Sequence, residues 1–69
     1  MTINKRKYYL AYIEQQTSNV KLYYVGNADD FGSYIVNVNV RYAKRLTIDG
    51  CHALKQRYVD TDFMFEDSP

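Results

Sequence analysis

Cys51 and His52 are the residue types that most directly suggest covalent chemistry, because an imidazole can activate a neighbouring thiol as a nucleophile. They are adjacent in a segment that predicts a helix, and adjacent residues on a helix point in different directions. We therefore expect Cys51 to be a small core residue and His52 to be solvated. No set of Ser, His and acidic residues suggests a catalytic triad. The sequence predicts a protein that is not an enzyme.

Acidic residues offer the next candidate chemistry, which is metal binding. Asp60 and Asp62 could approach one ion, but no third acidic or His ligand follows at a useful spacing. Residues 30–32 spell the Asp-Phe-Gly triplet of protein kinases, yet the other kinase motifs are missing and the chain is far too short. A turn is the simpler interpretation. We expect neither a metal nor a cofactor.

Basic and aromatic residues are the best candidates for a binding surface. Residues 41–58 contain five Lys or Arg and one Asp. The residues predicted to contact a partner are Arg41, Tyr42, Lys44, Arg45, Lys55, Arg57 and Tyr58. If the basic ones share a face, they could neutralise phosphates while tyrosines stack on bases. The alternative is a solvated face, and a net charge of +1 lacks the basic excess usual in nucleic-acid-binding domains.

The aromatic surplus also has two interpretations. Eight Tyr and three Phe could simply build a compact core. Alternatively, several tyrosines on an uncovered sheet face could bind a protein, since Tyr and Arg are enriched where proteins meet. An exposed edge strand could equally accept a strand from a partner.

Length and composition limit the organisation of the chain. With 69 residues there is room for a single domain, residues 1–69, and an apolar fraction of 46% is typical of a folded one. The lone Cys51 cannot form an internal disulfide, which favours a reducing, cytoplasmic setting. The apolar run after the first basic residues is too short for a signal peptide, and no segment is long enough to span a membrane. Residues 1–6 and 67–69 are expected to be flexible.

The first half of the chain predicts a β-hairpin. Residues 7–14 place apolar side chains on both faces of a strand, which is typical of a central strand. Residues 15–19 are polar and predict the turn, and residues 20–25 predict an antiparallel partner rich in β-branched and aromatic side chains. Residues 26–33 predict a loop, with Phe31 folded back onto the sheet.

The third strand begins near Tyr34 and shows the clearest alternation in the chain. Its pattern predicts one buried and one solvated face. The residues expected on the buried face are Tyr34, Val36, Val38 and Val40, and those expected in solvent are Asn37, Asn39 and Arg41.

A helix is predicted over residues 47–58. Thr47 is the expected N-cap, and Leu46 before it should pack on Cys51 as a hydrophobic staple. The side chains expected to form its buried stripe are Ile48, Cys51, Leu54 and Tyr58. Gly50 weakens the first turn by about 0.5–1 kcal/mol relative to Ala.

A short last strand over residues 62–66 completes the prediction, with Phe63 and Phe65 on one face and Met64 on the other. It should either close the sheet or lie across its edge. The order β-β-β-α-β predicts an α+β fold in which one helix packs on one face of a mostly antiparallel sheet. The other face must be exposed, covered by loops or covered by a partner.

The segment Tyr42-Ala43-Lys44-Arg45-Leu46-Thr47, preceded by KYYLAY and KLYYVG, resembles small uncharacterised proteins encoded by phages and mobile elements of Gram-positive bacteria. The likeness spans most of the chain, but Ile48, Asp49 and Gly50 stand where Glu residues usually follow the Thr. It implies an accessory protein of the host cytoplasm. Some such proteins inhibit host defences, anti-CRISPR proteins among them. The resemblance assigns no functional residue.

These observations favour a non-enzymatic protein-binding module that inhibits a host nuclease or another defence protein. A small nucleic-acid-binding protein or regulator that uses a basic face is the alternative.

Overall fold

A sheet of four antiparallel strands carries one α-helix in the computed structural model, which describes residues 7–28 and 32–69. The elements in chain order are β1 (Tyr9–Gln15), β2 (Val20–Asn27), β3 (Tyr34–Asn37), a 3₁₀ helix (Val40–Tyr42), α1 (Ile48–Arg57) and β4 (Met64–Asp67). This arrangement confirms the predicted α+β class and the β-β-β-α-β order. The predictions for residues 1–6 and for Phe31 lie outside the described residues.

The strands are ordered β3-β2-β1-β4, so β1 is central, as its two apolar faces predicted. The turn between β1 and β2 contains Asn19 at a φ of 55°, a left-handed conformation that Asn tolerates better than most residues. β4 pairs with β1 and forms one edge, which decides between the two predicted positions of the last strand.

β1 and β2 pair from Tyr12 and Tyr23 as far as the turn. On the other side of these two residues an unpredicted segment separates the strands. Residues 44–46 are inserted there. Leu46 exchanges two backbone hydrogen bonds with Tyr9, at 2.7 and 2.9 Å, and the Lys44 N–H donates to the Tyr24 carbonyl at 2.9 Å. This inserted segment leads directly into α1 and therefore fixes where the helix crosses the sheet.

The core lies between α1 and one sheet face. Its buried residues are Ala11, Tyr24, Leu46, Cys51, Leu54 and Phe63. Phe63 is only 1% exposed, and its ring meets those of Tyr24, Tyr34 and Tyr58 edge-on at centroid distances of 5.2–6.2 Å. Such aromatic contacts stabilise a core beyond their buried area. We call these four rings the aromatic cluster.

The predicted helix start is confirmed, because Thr47 Oγ1 accepts a hydrogen bond from the Gly50 N–H at 3.2 Å. The predicted burial of Leu46, Cys51 and Leu54 is confirmed as well. Ile48 was wrongly assigned to the buried stripe, since it is 54% exposed. At 3.6 residues per turn the stripe centres between Cys51 and Leu54, which leaves Ile48 roughly 90° away from it.

The third strand is shorter than predicted. β3 ends at Asn37, and the assignment of Val38 and Val40 to a buried face is wrong because both side chains are exposed. Two asparagine side chains explain this ending. Asn37 Oδ1 accepts from the Asn39 N–H at 2.8 Å, and Asn39 Oδ1 accepts from the Arg41 N–H at 3.1 Å. These local bonds compete with the strand ladder and turn the chain into the 3₁₀ helix.

The predicted alternation at the last strand is confirmed, with Phe63 buried, Phe65 packed on the core and Met64 exposed. On the sheet face opposite α1, Leu10 is also buried. It shares a shallow depression with Val40 and Ala43, so residues 40–45 cover part of this second face.

Candidate partner-binding surfaces

Four of the seven residues predicted to contact a partner line three separate depressions. Arg41 and Arg45 line the depression above Leu10. Arg57 lines a groove between α1 and β2, and Lys55 lines an apolar groove beside β4. Lys55 and Arg57 thus line depressions different from the one that Arg41 and Arg45 share.

Arg45 is engaged within its own chain. Its guanidinium lies over the Tyr8 ring, 5.0 Å from the centroid, which is a cation–π distance. Arg45 Nε donates to Ser68 Oγ and Nη2 donates to the Pro69 carbonyl, both at 3.2 Å. The Ser68 N–H also donates to the Tyr8 carbonyl at 2.9 Å. These contacts attach residues 67–69, the predicted flexible end, to β1.

Arg57 and Tyr58 also hold the fold together. Tyr58 Oη accepts from Arg57 Nε at 3.0 Å and lies 2.9 Å from Asn27 Oδ1 and 3.1 Å from the Ser33 carbonyl, to either of which it can donate. The Tyr58 ring belongs to the aromatic cluster. This hydroxyl therefore ties the end of α1 to the start of β3, and Tyr58 is half-buried instead of forming an open contact surface.

Tyr24 joins the same network, with its Oη donating to Asn27 Oδ1 at 2.7 Å. Burial raises the pKa of the Tyr24 hydroxyl, and the neighbouring Tyr58 raises it further while Arg57 opposes them. Tyr24 is thus a neutral hydrogen-bond donor in the core.

Four exposed apolar side chains follow one another along the chain from β3 into the 3₁₀ helix. Their exposed fractions are 48% for Ile35, 62% for Val38, 48% for Val40 and 56% for Tyr42. We call them the open-edge patch. Tyr42 and the adjacent Arg41 were predicted to contact a partner. Ile35, Val38 and Val40 were missed, and the asparagines at 37 and 39 are the signal that could have revealed them, because Asn favours turns over strands.

The charges near the open-edge patch have one sign. Residues 32–48 contain Arg41, Lys44 and Arg45 but no Asp or Glu. In sequence the patch is thus accompanied by basic residues only, of which Arg45 is bonded to Ser68 and Pro69, and exposed apolar area together with Arg is a feature of protein interfaces.

The β4 edge has a different chemistry. Glu66 accepts from Lys21 Nζ at 3.0 Å and from Tyr23 Oη at 3.3 Å, and Lys7 lies 3.5 Å from Asp67. The hydrogen bond with Glu66 raises the pKa of Lys21, and desolvation together with Glu66 raises the pKa of Tyr23. Charged, paired side chains thus mark this edge.

The two residues considered for covalent chemistry, Cys51 and His52, lie in different environments. Cys51 is buried, and burial raises the pKa of its thiol, while His52 is exposed on the helix surface. Within residues 7–28 and 32–69, no three His, Cys, Asp or Glu side chains are grouped closely enough to hold a metal ion. In the same part of the chain, no helix is long and apolar enough to cross a membrane.

Comparison with known proteins gave no match: no protein-family model, curated protein or solved structure is significantly similar to this chain.

Proposed function

We propose that this chain is a non-enzymatic protein-binding module and that it binds its partner through the open-edge patch. The observation that supports this proposal is that Ile35, Val38 and Val40 are exposed. They stand in a stretch whose alternation is typical of a strand with one buried face. Large apolar side chains that are grouped on a surface mark sites of interaction. Tyr42 and the adjacent Arg41 add two of the residue types that are enriched where binding energy concentrates in interfaces.

The resemblance to phage and mobile-element proteins supports a more specific form of the proposal. In that form the module acts in the cytoplasm of a bacterial host and inhibits a nuclease or another defence protein, as anti-CRISPR proteins do. The exposed Arg41 beside Tyr42 suits a target surface that offers an acidic group next to apolar area.

Nucleic-acid binding is the rival proposal, and the positions of the basic side chains weigh against it. The guanidiniums of Arg45 and Arg57 already bond to groups of their own chain. Binding to phosphates would weaken steeply with salt because each contact releases condensed counterions. Fluorescence anisotropy with labelled single-stranded and duplex oligonucleotides at low ionic strength tests this directly, and tight, salt-sensitive binding would favour the rival.

The experiment for the leading proposal compares three forms of the chain as bait in a lysate of the bacterium that encodes it. They are the wild type, the double variant Val38→Asp/Val40→Asp and the control Val59→Asp, whose site is 76% exposed and lies after α1. Quantitative mass spectrometry should find a protein enriched by the wild type and by Val59→Asp and lost with the double variant. Equal recovery by all three forms would contradict the proposal.

A further inference from the structure

A groove between α1 and the sheet, beside β4, is lined mainly by apolar side chains and has a volume of about 290 Å³. Among residues 7–28 and 32–69, those that line it are Tyr9, Ile48, Cys51, His52, Lys55 and Phe65. The aliphatic stem of Lys55 adds to the apolar lining, because long basic side chains keep mainly their charged end in water. None of the residues of the open-edge patch lines this groove.

Ile48 gives the groove apolar area that the fold does not bury. It is 54% exposed and is the only large apolar side chain of α1 that is exposed. The rings of Tyr9 and Phe65 line the same groove and are themselves only partly buried. A ligand that covered these three side chains would remove apolar area from water, which favours binding.

The charge at the groove has one sign. None of the six lining residues is acidic, and Lys55 contributes an ammonium group. In the described part of the chain the two ion pairs are made by Lys7 and Lys21, so neither of them neutralises Lys55. Lys55 follows Ile48 by seven positions, which is about 10 Å along a helix axis. The complementary ligand is therefore an apolar chain with an anion at one end.

The size of the groove favours a small ligand. Small-molecule sites are concave and mostly apolar, with a few polar groups that fix the orientation of the ligand, and have volumes from about 300 Å³ upward. This groove lies at the lower end of that range. A partner helix with its side chains is about 10 Å in diameter and would rest on the rim, whereas an unbranched alkyl chain can enter.

From these observations we infer that the groove binds a medium-chain fatty acid, with the alkyl chain along Ile48 and Phe65 and the carboxylate at Lys55. The His52 imidazole, which also lines the groove, can donate a hydrogen bond to the same carboxylate. The fatty acid would leave the open-edge patch free. This ligand site is therefore additional to the proposed protein-binding surface and does not depend on it.

The test combines changes of the ligand's head group with a change of the charge at position 55. The ligands are decanoate, decanol and decylamine, which share one alkyl chain and carry a negative, a neutral and a positive head group at neutral pH. Each is kept below the concentration at which it forms micelles. The whole chain is used as wild type, as Lys55→Met and as the control Lys44→Met, whose exposed lysine does not line the groove. Titration calorimetry measures the dissociation constants.

The wild type should bind decanoate more tightly than decanol, and decanol more tightly than decylamine. Lys55→Met should weaken decanoate binding about twofold to fivefold, since an exposed ion pair contributes modestly, and should tighten decylamine binding. Effects of opposite sign on the two ligands identify the charge as the cause, because a general change in the fold would alter both in the same direction. Lys44→Met should leave both dissociation constants unchanged.

Ile48→Asp tests the apolar wall of the groove. A negative charge is favourable in the first turn of a helix, so the variant should fold, which circular dichroism checks. It should weaken decanoate binding at least about tenfold, because it removes apolar contact and repels the carboxylate. Val59→Asp is the matched control, since Val59 is exposed and does not line the groove, and it should bind decanoate as the wild type does.

Nuclear magnetic resonance spectra locate the ligand, and decanoate should shift the amide signals of Ile48, Cys51, Lys55 and Phe65. Four results would overturn the inference. They are the absence of saturable binding, equal affinity for decanoate and decylamine, a change in the same direction for both ligands in Lys55→Met, and shifts centred on the depression above Leu10 or on the open-edge patch.

Discussion

The two edges of the sheet differ in what completes them. β4 is attached to the fold through its side chains: Phe63 before it fills the core, Phe65 packs on the core, and Glu66 and Asp67 pair with lysines. β3 is anchored mainly at its start, through Tyr34 in the aromatic cluster, and then exposes the open-edge patch. We infer from this difference that the side chains of the β4 edge stabilise the fold, whereas the exposed apolar side chains of the open-edge patch are not packed against the described part of the chain.

The largest expected effect is on the β4 side. Phe63→Ala should lower the free energy of unfolding by about 3–5 kcal/mol, because it leaves a cavity at the centre of the aromatic cluster. A domain of this size has a total stability of the order of 5 kcal/mol, so most of the protein should unfold. Urea denaturation followed by circular dichroism measures the loss. Met64→Ala is the control on the exposed face, and losses of equal size in the two variants would contradict the assigned core.

The next effect concerns the anchor of β3. Tyr58→Phe removes the hydroxyl that bonds to Arg57 and to Asn27 or Ser33, and should lower the free energy of unfolding by about 1–2 kcal/mol. Tyr42→Phe is the matched control, since Tyr42 is exposed and should change stability by less than about 0.5 kcal/mol. Amide hydrogen exchange of β3 should accelerate in Tyr58→Phe. Unchanged exchange there would show that the hydroxyl does not hold this edge.

A smaller effect is expected at alkaline pH, and part of it depends on Glu66 of β4. The pKa of Lys21 and that of Tyr23 are raised from 10.5 and 10.0, so the folded state holds these protons more tightly than the unfolded state. Their contribution to stability is present below the unfolded pKa and is lost as the pH rises through the folded pKa.

Glu66→Gln should make that alkaline loss shallower, because Glu66 contributes to both shifts. Urea denaturation from about pH 8 to about pH 11 measures it. Asp49→Asn, a change on α1, should leave the dependence of the free energy of unfolding on pH as it is in the wild type. If the free energy of unfolding of Glu66→Gln fell as steeply with pH as that of the wild type, Glu66 would not be the cause of the alkaline loss.

The smallest effect on stability is predicted at the open edge itself. Ile35→Lys should change the free energy of unfolding by less than about 0.5 kcal/mol, since the side chain is already half exposed. The same change should weaken partner binding, because a lysine adds the charge that protects natural edges. Titration calorimetry with the captured partner and parallel urea denaturation separate the two effects. A large loss of stability would show that Ile35 belongs to the core.

Local patterns were sufficient for much of the fold. The two apolar faces of β1, the Thr47 cap and the alternation of Phe63 with Met64 are each set by residues close in sequence, and each was predicted. The end of β3 was not, because Val-Asn-Val-Asn satisfies the strand pattern while the asparagine side chains bond to the backbone two residues on. The insertion of residues 44–46 between β1 and β2 depends on contacts distant in sequence.

The same limit applies to the candidate site. Exposure of Arg41 and Tyr42 could be anticipated from their types. The engagement of Arg45 with Ser68 and of Tyr58 with Asn27 joins residues 23 and 31 positions apart, which no local pattern indicates.

Hydrogen–deuterium exchange of the chain, alone and bound to the protein captured by the wild type, tests the central claim most directly. The account predicts that the amides of Tyr34, Val36 and Val38 become protected in the complex while those of β4 exchange as before. Protection that appears on β4 or on α1, with β3 unchanged, would contradict the assignment of the open-edge patch as the binding surface.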